Sequence, residues 1–73
     1  MSVPNRSASR PAARLQRMAA TTASNGRFFV QLGHEKMRHG EDDPMEIDLA
    51  RSAQRDAAVL YLAARAQTVI EAR

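Results

Sequence analysis

In the first half of this chain, apolar or small residues recur at steps of three and four: Leu15, Met18, Ala19, Thr22, Ala23, Gly26, Phe29, Val30, Gly33 and Met37. At 100° per residue they fall in one sector about 140° wide. Gln16, Arg17, Ser24, Arg27, Gln31, Glu35 and Arg38 fall mainly opposite. The pattern runs without a slip through TTASNGRFF, residues 21–29, although Asn25-Gly26 is locally a strong turn signal. A turn there would have no reason to keep helical phase on both sides. The spacing therefore predicts one helix over about 11–39 with Gly26 on its inner face, the rival being a kink or short break at 24–26. Gly26 costs about 1 kcal/mol against Ala in a helix. Close approach of another helix is the expected compensation, which makes Gly26 a contact glycine and not a turn glycine.

The ends of this helix carry their own signals. Pro11 suits a first turn and biases Arg10 away from αR, so Ser9 or Arg10 is expected to cap. Residues 1–9, polar and without apolar periodicity, are expected to form a disordered tail. At the other end, HGEDDPME places Gly40 where a left-handed C′ residue belongs. Asp43 suits an N-cap, Pro44 position N1 and Glu46 position N3, an Asp-x-x-Glu variant of the capping box. This predicts a loop at 40–43 and a second helix over about 44–72.

The second helix carries two stripes. Leu49, Ala50, Ala53, Ala57, Leu60, Tyr61 and Ala64 form one, and Val59, Leu62, Ala66, Val69 and Ile70 form another nearly opposite. One stripe serves the first helix and the other implies a second neighbour. Two helices of about 43 Å at 1.5 Å per residue, joined by a short loop, should fold back antiparallel. Gly33 would then meet Ala50, Val30 meet Ala53, Gly26 meet Ala57, Thr22 meet Tyr61 and Ala19 meet Ala64, a hairpin whose small residues let the backbones approach closely. The fold class is all-α, an antiparallel two-helix hairpin in residues 10–73.

A single hairpin has no inside, and a chain of 73 residues gains little from so thin a core. Phe28, Leu32, Val59, Leu62, Ala66 and Val69 are left pointing outward, and exposed apolar groups on this scale mark an interface. The economical solution is a homodimer forming a four-helix bundle; the rival is a face reserved for a different protein. The charge pattern suits either. Residues 1–38 hold seven Lys/Arg and one Glu, a formal +6, whereas residues 39–73 hold seven acids and four Arg, a formal −3. Such halves attract one another or an external partner of matching sign.

Chemistry is excluded motif by motif. HEKMRH sets His34 and His39 five apart, not the four a zinc-protease helix needs. EDDPMEID lacks the spacing and glycine of a calcium loop. Asp56 and Tyr61 have no nearby His, Cys or Lys, and no nucleophile–base pair stands at a helical spacing. There is no cysteine for a thiolate site or a disulfide. The expectation is a non-enzyme with no cofactor and no metal. The longest apolar run, Ala57–Ala64, is far shorter than the roughly 20 residues that span a bilayer. With no apolar segment after the basic N-terminus to make a signal peptide, a soluble cytoplasmic protein without a membrane partner is expected.

Arg10, Arg14 and Arg17 share one face of the first helix and oppose its dipole, so helix stability does not explain them. They can solvate the surface, border a contact with an acidic protein, or grip phosphates. No recognition helix or aromatic interleaving accompanies them for base reading. The functional expectation is a small regulator of inhibitor, anti-activator or adaptor type, of a kind found in bacterial or phage-like genomes. It would bind itself and an as yet unidentified protein through helix faces. A basic nucleic-acid-binding accessory protein and a structural subunit of a larger helical assembly are the alternatives.

Overall fold

The computed structural model describes residues 10–73, and the expected disordered tail, 1–9, lies outside them. Two helices, α1 (Pro11–Arg38) and α2 (Met45–Glu71), pack against each other as a hairpin. α1 runs straight through Asn25-Gly26, so the turn propensity of that dipeptide loses to the helical phase on either side. Arg10 is the N-cap residue of α1, in extended conformation and without a side-chain cap bond, and Pro11 opens the helix.

α1 ends in a Schellman motif. His39 is the C-cap and Gly40 takes φ 93°; the Gly40 N–H donates to Met37 O at 3.0 Å and the Glu41 N–H to Lys36 O at 3.0 Å. The start of α2 differs from the expected capping box. Asp43 does not cap it: Asp43 is left-handed at φ 54°, Pro44 is the N-cap residue, no side chain bonds the first turn, and Met45 opens the helix. Glu46 is turned the other way. It is buried against α1, with its Oε2 2.7 Å from Lys36 Nζ. There the carboxylate meets a full opposite charge, where a cap would have offered it a backbone N–H, and Asp is among the residues that tolerate the left-handed region.

The buried residues of α1 are Ala12, Ala19, Gly26 and Gly33, and in α2 Ala50, Ala57 and Ala64 are buried together with Glu46. The small residues recur every seventh position, the spacing of a left-handed supercoil. No large side chain among the described residues is fully buried. The hairpin is therefore held along a seam of backbone and methyl groups, and its Cα trace is only 11 Å deep on its shortest axis.

The register differs from the level pairing read from the sequence. A methyl on Gly26 would lie 3.4 Å from Ala53 Cβ, 3.5 Å from Gln54 Cγ and 3.7 Å from Ala50 O, and one on Gly33 would lie 2.5 Å from Ile47 Cδ1. Each α1 glycine thus sits about halfway between two seam positions of α2, as a knob does in a hole. Ala53, expected at the close contact, is found there, its Cβ the nearest atom to a methyl on Gly26, and Val30 is half-buried. At the open end, the Ala12 N–H donates to Glu71 Oε2 at 3.2 Å. α2 thereby supplies the carboxylate that the N-terminus of α1 lacks in its own first turn.

Candidate functional surface

The seam divides the surface by a simple rule. In an antiparallel pair, the residue after a seam residue is rotated about 100° to one side on both helices, and the residue before it to the other. Residues after the seam make one broad face of the slab, and residues before it make the opposite face. The local geometry agrees. Ala13 and Gln16 share a groove of about 340 Å³ with Thr68 and Ala72 on the first side. Thr22 lines another with Asp56, Val59 and Leu60 on the second.

The second side is the apolar face. Met18, Leu32, Leu49, Ala63 and Ile70 precede seam residues, with Asn25 and Asp56 between them near mid-length. Half-buried Leu15, Phe29 and Leu60 line the inner edge of this face. Phe28, 60% exposed, Val59, 61% exposed, and Ala66 flank it on the outer side. Phe28 and Phe29 meet edge to face, with centroids 5.8 Å apart.

Not all of the residues expected at an interface gather there. Leu62 and Val69 are exposed, but they stand on the outer edge of α2, away from Phe28 and Leu32. In their place the structure brings forward Met18 and Leu49, which the three-and-four spacing had assigned to inward stripes, and Ile70, which it had placed in the outward stripe of α2. The seven-residue recurrence of Ala and Gly is the signal that finds them, because it centres the seam on the small residues and leaves their bulkier neighbours beside it. Arg14 and Arg17 lie along the outer edge of α1, whereas Arg10, its N-cap residue, lines the groove with Ala13, Gln16 and Thr68 on the first side. Arg14 and Arg17 border one shallow groove with Met18, Thr21 and Thr22, at the rim of the apolar face.

No protein family, curated protein or solved structure matches this chain. The site must therefore be read from its own chemistry. No group of three or more His, Cys, Asp or Glu side chains capable of holding a metal ion occurs among the described residues, and no described helix is long and apolar enough to cross a membrane. His34 is exposed on α1 and His39 caps its end. The main ionic feature lies at the loop end. The hydrogen bond between Lys36 and Glu46, backed by their opposite charges, holds the Glu46 carboxyl below its ordinary range and the Lys36 ammonium above its own.

Proposed function

We propose that this chain is a small non-catalytic interaction module of regulator type, working through its apolar face, and that the first occupant of that face is a second copy, giving a four-helix bundle. The observation that carries the reading is the concentration of Met18, Phe28, Val59 and Ile70, all exposed, along a hairpin too thin to bury them itself. The size of the face supports it. A helix of 28 residues is about 42 Å long, and two helices side by side present roughly 800 Å², the area each partner contributes to an ordinary stable interface. The polar residues support it too. Asn25 and Asp56 offer an amide donor and a carboxylate acceptor near the middle of the face, so two copies related by a two-fold axis can satisfy each other there.

Sedimentation equilibrium with circular dichroism tests this. The expected result is a helical dimer that Val59→Asp and Ile70→Asp each dissociate, while Leu62→Asp on the outer edge leaves it intact. A well-helical monomer across the whole concentration range overturns the second copy as occupant. A monomer of low helicity assigns the face to a different protein.

A further inference from the structure

The face opposite the apolar one carries a separate signal. Among the residues that follow seam positions are Arg27 on α1 and Arg51 and Arg65 on α2, all exposed and without an ion pair among the described residues. The remaining positions after the seam hold four alanines and His34. Neither helix places an acid here, at the position after the seam or at the adjoining one four residues on. Asp56 is on the apolar face, Glu35 and Asp48 are on outer edges, Glu41 to Asp43 are confined to the loop, Glu46 is buried against α1, and Glu71 lines the groove at the open end of this face, where one carboxylate oxygen accepts from the Ala12 N–H. A sequence-wide net charge of +3 is thus distributed as one face whose described acid is Glu71 at the open end, against a mixed remainder.

We infer that this face docks an extended nucleic-acid backbone, with Arg27, Arg51 and Arg65 as its phosphate contacts. The register sets the geometry. Gly26 packs against Ala53 and Gln54, so Arg27 and Arg51 stand within about one turn of the same level, on opposite sides of the seam. Arg65 lies fourteen residues along α2 from Arg51, about 21 Å at 1.5 Å per residue. A free phosphate or a short acidic side chain can engage one end of such a row; a straight polyanion engages both. The surface between them is formed by Ala23, Val30, Gln54 and Tyr61, the last 45% exposed, and is edged by alanines. A protein partner needs apolar anchors in pockets, and Met18, Phe28, Leu49, Val59 and Ile70 are on or beside the other face. A phosphate backbone needs only charge and clearance, and arginine presents a fork suited to phosphate oxygens. The position of these residues also distinguishes them from Arg14 and Arg17, which stand on the edge of the slab, while Arg10 lines the groove at the open end of this same face. The inference does not depend on what covers the apolar face.

The test is fluorescence anisotropy of a labelled 20-base-pair duplex, titrated with the full chain over a series of salt concentrations. The wild-type chain is expected to bind, with affinity falling linearly on a logarithmic salt scale. Arg27→Ala with Arg51→Ala should weaken binding at least tenfold in about 100 mM salt and lower the slope by one to two, since each phosphate contact contributes about 0.9. Helicity by circular dichroism should stay unchanged, because both sites are exposed and Ala is the stronger helix former. Arg14→Ala with Arg73→Ala removes the same charge from the outer edge of α1 and from beyond the end of α2, and should change binding less than threefold. Three results would overturn the inference: no binding at 50 mM salt, equal losses in the two double variants, or displacement of the duplex by polyglutamate at equal charge concentration.

Discussion

Gly26 and Gly33 occupy equivalent seam positions, yet the structure gives them different tolerances. A methyl at Gly26 meets its neighbours at 3.4 Å and beyond, which is ordinary contact. Gly26→Ala should therefore recover most of the helix-propensity penalty, raising unfolding stability by up to about 1 kcal/mol in urea titration. At Gly33 the same methyl would fall 2.5 Å from Ile47 Cδ1 and 3.0 Å from Cγ1, so the half-buried isoleucine must turn aside. Gly33→Ala is expected to gain less than Gly26→Ala in the same titration. Gly40 is a third case. Nothing lies within 4 Å of an added methyl, but φ is 93°, so Gly40→Ala should cost about 1 kcal/mol through the backbone alone. The sequence made Gly40 legible because the left-handed residue after a helix has a known signature. It could not rank Gly26 against Gly33, because that ranking depends on which α2 side chain falls into register.

Between the helices, the Lys36–Glu46 and Ala12–Glu71 contacts stand at the two ends of a strip of methyl groups. The Lys36–Glu46 bond is the part that titrates. The Glu46 carboxyl is held below its unfolded value, so its contribution is complete above that ordinary value and is lost as pH falls through the lower folded one. Lys36 is held above its ordinary value, so its contribution is lost only as pH rises through that higher folded value. Glu46→Gln should flatten both limbs of a stability profile followed by thermal melts from pH 3 to pH 11. Element existence, number and order were legible here, because each helix carries more than six turns of consistent phase. The start of α2 was not. Asp43, Pro44 and Glu46 fit a capping box by type and spacing, and only the position of Lys36 across the loop explains why Glu46 turns inward instead. The alignment of the helices was readable in kind, small residue against small residue. Its half-heptad offset was not, since a seam of near-identical alanines carries no bulky side chain whose partner would reveal the level.

The described hairpin is a slab with two unlike broad faces, and this asymmetry shows only once the seam is centred on the small residues. Periodicity read on each helix separately mixes the two sides, since Leu62 and Val69 resemble Val59 and Ile70 in type and differ only in angle from the seam. If self-association covers the apolar face, mass action makes the melting temperature depend on concentration. The midpoint should rise steadily over a hundredfold concentration range for the wild-type chain and stay flat for Val59→Asp, which scanning calorimetry reads directly.

The two polar contacts also differ greatly in how much chain they enclose. Lys36 and Glu46 lie ten residues apart, whereas Ala12 and Glu71 are separated by 59. Loop-closure entropy grows with that separation, so the hairpin is expected to close as a zip does, from the turn outward, with the Glu71 carboxylate as its last fastener. Opening runs in reverse. Native-state hydrogen exchange should then find the slowest amides in the halves of α1 and α2 beside the loop, and progressively faster ones toward Ala12 and Thr68.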